Sequence, residues 1–277
     1  MQDTIQEYRK SVIQHGKESD RVYVIKCAPN DVKAVKDHIN ALAERNGYSK
    51  IFIKCRKKNS EPFTNDGFVA EAVIPSFFGE DDCLFLSKFT NEERAHPDKE
   101  KKELIDSVLK TAKSKAGSVN TGTAFPEVRE LTLSDVPELT KLYKKVFKTY
   151  PFPIFDPIYI SETMKNHIVY FGIFDGEKLV AAASSETDIS TFSVEMTDFA
   201  TDPEYLGKGS AYKLLVTMEK AMRERSMRTS FTIARSHSYG MNITFAKAGY
   251  KFCGTLINNT NISGEIESMN VWYKHLA

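Results

Sequence analysis

The stretch "FSVEMTDFATDPEYLGKGSAYKLL" (Phe192–Leu215) constrains the fold more than any other part of the chain. A strand-like run leads into Leu206-Gly207-Lys208-Gly209-Ser210-Ala211. A helical pattern follows, with Ala211, Leu214, Leu215, Met218 and Met222 at three- and four-residue steps. Glycine costs backbone entropy, so two of them around one lysine need a local reason. One reason is an ordinary tight turn between strand and helix. The other is a backbone that must lie against a phosphate. The first N–H groups of a helix lack partners and carry partial positive charge. A pyrophosphate docks there when no bulky side chain precedes the helix. Gly207 and Gly209 permit that approach, and Lys208 adds a charge.

The rest of the chain supplies an alternating frame. "VYVIKC" reads as a strand, and "NDVKAVKDHINALAERNGY" as a helix with Asn30 as N-cap and Gly47 as stop. "SKIFIKC", "FVAEAVIP" and "CLFLSKF" read as strands, and "DKEKKELIDSVLKTAKSK" as a long charged helix. "AGSVNTGTAFP" (Ala116–Pro126) has a linker's composition. It divides the chain into an N-terminal domain, 1–120, and a C-terminal domain, 127–277. The second half opens with the strand "EVRELT" and a helix capped by Ser134. A helix capped by Asp156 with Pro157 at its first position comes next. A hairpin turning on Asp175-Gly176 precedes the glycine loop. "TSFTIAR", a short helix ended by Gly249, and two closing strands complete it. The fold class is mixed α/β.

Totals exclude several functions. In 277 residues, 38 Lys and Arg nearly balance 37 Asp and Glu, which argues against nucleic acid as a partner. No apolar run approaches a membrane span, and the N-terminus lacks a secretory layout. Cys27, Cys55, Cys83 and Cys253 form no CxxC pair, so zinc or another metal is not expected. A reducing, cytoplasmic setting is the expectation, with a homodimer left open.

The order of elements, with the glycine loop between the fourth strand and third helix of the second half, resembles the GNAT acetyltransferase superfamily. Of its Arg/Gln-x-x-Gly-x-Gly/Ala pattern, Gly209 and Ala211 fit, and Leu206 departs. Asn242, followed by a short helix ending in Gly249-Tyr250, fits a second family feature. "FTNDGFVAEAVIPSFF", "YPFPIFDP", "ARSHSYGMNITFAKAGY" and "IESMNVWYK" look like the β-lysine N-acetyltransferase family, and that resemblance covers most of the chain. It implies transfer of acetyl from acetyl-CoA to the terminal amine of β-lysine. The alternatives are a silent acyl-CoA-binding regulatory protein, or an enzyme for another small amine such as a polyamine. The first half would then be a degenerate copy of the second. No Gly-x-Gly occurs between its last strand and its long helix.

The resemblance also implies site roles. Backbone amides of Gly207, Lys208, Gly209, Ser210 and Ala211, with Tyr212 at the edge, would hold the CoA pyrophosphate. Phe199, Ala200 and Thr201 would meet the pantetheine arm, with Asn242 and Phe245 nearby. Glu195 stands where many relatives place a general base, with Asp198 as rival. Strict alternation puts Glu195, Thr197 and Phe199 on one face and Asp198 on the other, unless a bulge near Phe199 intervenes. Phe245 occupies the usual position of a tyrosine acid and cannot donate a proton. Tyr239 is the substitute, although a thiol with pKa ~8.5 leaves readily without help. A diamino-acid acceptor calls for acidic groups, among Glu186, Asp188, Glu265 and Glu267, and one bidentate arginine, Arg235. Tyr150, Phe152 and Phe155 either wall the acceptor pocket or pack on the core. His237 reads as an incidental loop residue.

Overall fold

The computed structural model describes residues 3–118 and 127–276. The first half runs β1 (Thr4–Tyr8), β2 (Ser11–Gly16), β3 (Arg21–Lys26), α1 (Val32–Asn46), β4 (Lys50–Arg56), α2 (Glu61–Thr64), β5 (Val69–Ile74), β6 (Cys83–Phe89) and α3 (Lys99–Ser114). The second runs β7 (Val128–Glu130), α4 (Val136–Val146), α5 (Pro157–Asn166), β8 (Ile168–Asp175), β9 (Lys178–Asp188), β10 (Ser193–Thr201), α6 (Ser210–Glu224), β11 (Thr229–Arg235), α7 (Tyr239–Lys247), β12 (Lys251–Ile262) and β13 (Glu265–His275). Among the described residues, thirteen strands form one continuous sheet, ordered β1-β2-β3-β4-β6-β5-β12-β13-β11-β10-β9-β8-β7. The element types therefore follow the hydrophobic pattern. β1 and β2 did not stand out in the sequence: β1 is an exposed edge strand with little apolar signal, and β2 buries Ser11 and Gln14 beside Ile13, so its pattern is not apolar.

The two halves share one connectivity. β3 and β4 are parallel and joined through α1, while β10 and β11 are parallel and joined through α6. In both, the remaining neighbours are antiparallel. The counterpart of the glycine loop is therefore the β3–α1 connection, not the segment before α3. It reads Cys27-Ala28-Pro29-Asn30-Asp31 and contains no glycine. Asp31, not Asn30, is the N-cap of α1, and its carboxylate accepts from Lys10 N at 2.9 Å.

The halves meet at β5 and β12, through Ala72 and Gly254. Gly254 has φ 154°, and a Cβ there would overlap the Glu71 carbonyl oxygen. We expect Gly254→Ala to cost about 3 kcal/mol or more in urea denaturation, because the clash is with backbone that cannot turn aside. Beyond Leu256 the β12–β13 register breaks until Thr260. The freed carbonyls of Ile257, Asn258 and Asn259 accept from Lys50 Nζ (2.7 Å), Arg94 Nε (2.8 Å) and Arg21 Nη1 (2.7 Å). Three cations of the first half thus hold three successive carbonyls of the second. α3 also crosses over: Leu109 and Ala112 lie in the cluster with Leu215, Met218 and Phe245.

Smaller expectations shift. α4 is preceded by a 3₁₀ turn at Leu133–Asp135 that Thr132 and Asp135 cap, so Ser134 is not the cap. Asp156 does cap α5, accepting from Ile158 N at 2.8 Å. The β8–β9 turn is centred on Gly176-Glu177, since Asp175 pairs with Lys178. A 3₁₀ turn, Pro203–Tyr205, separates β10 from the glycine loop. All four cysteines are free thiols, and Cys55 and Cys83 are buried. Most of the linker, 119–126, lies outside the described residues. Among the described residues, no helix is long and apolar enough to cross a membrane.

Candidate active site

β10 pairs with β11 only over Ser193–Glu195. Beyond that point β10 stays with β9 while β11 stays with β13, leaving a wedge between them. A register break between Thr197 and Ala200 places Asp198 at φ 54°. This bulge overturns strict alternation. Glu195, Thr197, Asp198 and Phe199 all line one cavity with Thr232–Arg235 of β11. The cavity has a volume of about 160 Å³.

At the outer end of the wedge, Gly207 and Gly209 both have φ 78°. That left-handed conformation disfavours any side chain. Gly209 is the N-cap of α6, and no side chain caps the helix. A Cβ on Gly207 would project into open space. Among the described residues, the first turn of α6 is thus preceded by glycines and capped by no side chain, which fits a pyrophosphate. Lys208 lies over the Tyr205 ring at 4.3 Å, and the Leu206 side chain is exposed.

Inside the cavity, three carboxyls gather. Glu195 and Glu186 face each other directly in the β10–β9 register. Burial first, and Glu186 second, push the Glu195 carboxyl up to about 8. Burial likewise raises Glu186, opposed by the Lys54 and His167 charges. Asp198 accepts from Ser184 Oγ at 2.6 Å and Tyr150 Oη at 2.5 Å, yet burial outweighs both and raises its pKa as well. Glu195 is thus a half-buried group in a cavity, not a solvated strand glutamate. Tyr150, Phe152 and Ile154 wall the same cavity, whereas Phe155 does not reach it.

Other candidates are placed elsewhere. The Tyr239 hydroxyl lies 2.8 Å from Ser107 Oγ of α3, half-exposed and outside the cavity, so it is not placed as an acid. α3 packs against α7 and draws that tyrosine away. Phe245 is buried edge-on to Phe199 at 5.7 Å and walls the wedge. Asn242 is buried with its amide saturated. It donates to the Arg235 and Ser238 carbonyls at 3.0 and 2.7 Å, and accepts from Asn270 and Trp272, both at 2.9 Å. Its side chain braces the β11–α7 turn and has nothing left for a cofactor. Arg235 lines the cavity but is already gripped by the buried Glu267, Nε at 3.0 Å and Nη2 at 2.5 Å. His237 Nδ1 is 3.8 Å from the same Glu267. Asp188 turns to Ser190, and Glu265 to Lys101 on the exterior. Among the described residues, no group of three or more His, Cys, Asp and Glu is placed to hold a metal.

The cavity also takes residues from the first half: Arg21, Tyr23, Ile25, Phe52 and Lys54. Sequence reasoning missed them. The available signal was a basic residue inside an apolar strand, in "RVYVIK" and "IFIKC". Lys54 Nζ sits 5.0 Å from the Phe231 ring centroid, and its charge acts on Glu186 and Glu195.

Residues 127–246 match the family model described as an acetyltransferase (GNAT) domain. Over 277 residues, 98% of both chains, the sequence is 42% identical to the β-lysine N(6)-acetyltransferase of Methanococcus maripaludis. It is 32% identical to the N-acetyltransferase YodP of Bacillus subtilis, covering 96% of both chains. A further relative, the β-lysine N(6)-acetyltransferase of Methanosarcina mazei, is 31% identical over 86% of this chain and 95% of its own. The wedge, the open helix terminus and relatives matching nearly end to end converge on one statement: the chain belongs to the β-lysine N(6)-acetyltransferase family of GNAT acetyltransferases, and it is an acetyl-CoA-dependent N-acetyltransferase.

Proposed function

We propose that the protein acetylates the terminal amine of β-lysine, or a closely related diamino acid, by direct transfer. The observation that carries this reading is the cluster of Glu195, Glu186 and Asp198 in one cavity beside the β10–β11 wedge. Three carboxyls together attract an ammonium. Bound acetyl-CoA supplies the activated acetyl group. Gly207, Lys208, Gly209, Ser210, Ala211 and Tyr212 would hold its pyrophosphate, with Phe199, Ala200 and Thr201 along its arm.

Glu195 is the general base in this mechanism. An ammonium with pKa near ~10.4 must lose a proton before its nitrogen can attack. A carboxyl raised to about 8 is a far better acceptor than an exposed glutamate. Asp198, fixed by Ser184 and Tyr150, orients the amine. Backbone N–H groups of β10 on the side freed from β11 polarise the acetyl oxygen. No side-chain acid is assigned, because the leaving thiolate is stable near neutral pH.

The first half acts as a second copy of the fold that no longer takes the cofactor. Asp31 puts a negative charge where α1 would otherwise accept a phosphate. That half instead closes the acceptor cavity. Release of free CoA, measured with β-lysine, α-lysine, ornithine and polyamines, tests the reading. β-Lysine should give the highest kcat/KM, and a higher value with a polyamine would overturn the assignment.

A further inference from the structure

Resting on the acceptor reading above, we propose that Arg21, on β3 of the first half, binds the acceptor's carboxylate and so selects amino acids over carboxylate-free diamines. Arg21 is 3% exposed and lines the cavity. Its partners are all neutral: the Asn259 carbonyl at 2.7 Å, Thr260 Oγ1 at 2.9 Å and Gln14 Oε1 at 3.4 Å. Its Nε has no hydrogen-bond partner, and neither has the neighbouring Asn259 Oδ1.

Other buried cations are treated differently. Lys50 has Glu71 at 2.8 Å, Arg94 has Asp20 at 3.0 Å, and Arg235 has Glu267 at 2.5 Å. Among the described residues, no carboxylate lies within ion-pair distance of Arg21; the Asp3 carboxylate acts on it only from further off. A buried charge without a counter-ion is costly, and breaking such a pair is among the most destabilising changes known. An arginine kept in that state is explained if a ligand brings the missing charge. Arg235 in the same cavity displays the required geometry, with Nε and Nη2 gripping one carboxylate.

The placement suits a molecule charged at both ends. Arg21 lies over one side of the Tyr23 ring, 5.1 Å from its centroid. The Tyr23 phenol also feels Glu195 and Glu186. Tyr23 thus shares the cavity with the cation and the carboxyl cluster and is within the electrostatic reach of both. An acceptor whose amine meets Glu195 extends its other end past Tyr23 toward Arg21. Lys54 is the competing cation, but its charge acts on the acids themselves.

The experiment compares kcat/KM for β-lysine with that for 1,4-diaminopentane, which is β-lysine without its carboxylate. The wild type should favour β-lysine by roughly 100-fold or more, the usual worth of a buried charged hydrogen bond. In Arg21→Met, checked for folding by its melting temperature with and without acetyl-CoA, that preference should fall below about 10-fold. The loss should appear in KM more than in kcat. No preference in the wild type, or an undiminished one in folded Arg21→Met, overturns the proposal. If Arg21→Met does not fold, Arg21→Lys decides: it keeps the charge but loses the fork. Its KM for β-lysine should rise about 10-fold, and an unchanged KM overturns the proposal. If α-lysine or ornithine is turned over in place of β-lysine, the β-lysine assignment fails alone. Their carboxylate-free counterparts, cadaverine and putrescine, then test Arg21 by the same comparison. Turnover of diamines only sinks both.

Discussion

Glu195→Gln is expected to lower turnover with β-lysine by roughly 100-fold or more at pH 7, within the ~10²–10⁴ of general bases. Affinity for acetyl-CoA should barely change, because the glycine loop lies further along the chain. The wild-type kcat/KM should rise with pH through about 8, where Glu195 ionises. The glutamine variant should lack that limb. Its deficit should shrink toward the amine's own pKa, where free amine arrives already deprotonated. Near-normal turnover of Glu195→Gln at pH 7, with loss in Asp198→Asn, would transfer the role to Asp198. Activity in both variants would leave the proton to water.

The same residue predicts a pH-dependent stability. Its pKa in the folded protein is raised from 4.5 to about 8. Between these values the folded state holds a proton that the unfolded state has released, so Glu195 lowers stability progressively as pH rises. Glu195→Gln removes that term. The melting temperature of the variant, relative to wild type, should therefore climb between pH 5 and pH 8 and level off above. A constant difference across that range would show that Glu195 is not held above its ordinary pKa.

Gly209→Val is expected to abolish stabilisation by acetyl-CoA. A ligand at a hundred times its dissociation constant adds about 2.7 kcal/mol, which moves the melting temperature of a chain this size by about 5 °C. Valine harms the site twice. It cannot hold φ 78° without strain of about 1–2 kcal/mol, and its branched side chain stands before the first turn of α6. The melting temperature without ligand should fall modestly, and the ligand-induced shift should vanish. A full shift in Gly209→Val would place the pyrophosphate elsewhere, and no shift in the wild type would undo the cofactor assignment.

Local chemistry was legible in the sequence wherever neighbours along the chain decide the outcome. The helices announced themselves by apolar spacing, Asp156 by its place before Pro157, and the left-handed loop before α6 by Gly207 and Gly209 between a strand and a helix. Glu195 was legible as a candidate because its distance from that loop is a property of one strand. What the chain could not reveal depends on residues far apart in sequence. Arg235 looked like a free arginine until β13 placed Glu267 beside it. Asn242 looked like a cofactor ligand until Asn270 and Trp272 saturated its amide. Tyr239 was drawn out of the site by α3, and Asp198 was turned into it by a bulge that no residue type marks. Arg21 and Lys54 lie more than a hundred residues before the acids whose cavity they share, and the joining of β5 to β12 helps bring them there. Whether a buried charge is paired, and by what, is settled by packing across the sheet, and hydrophobic periodicity carries no record of that.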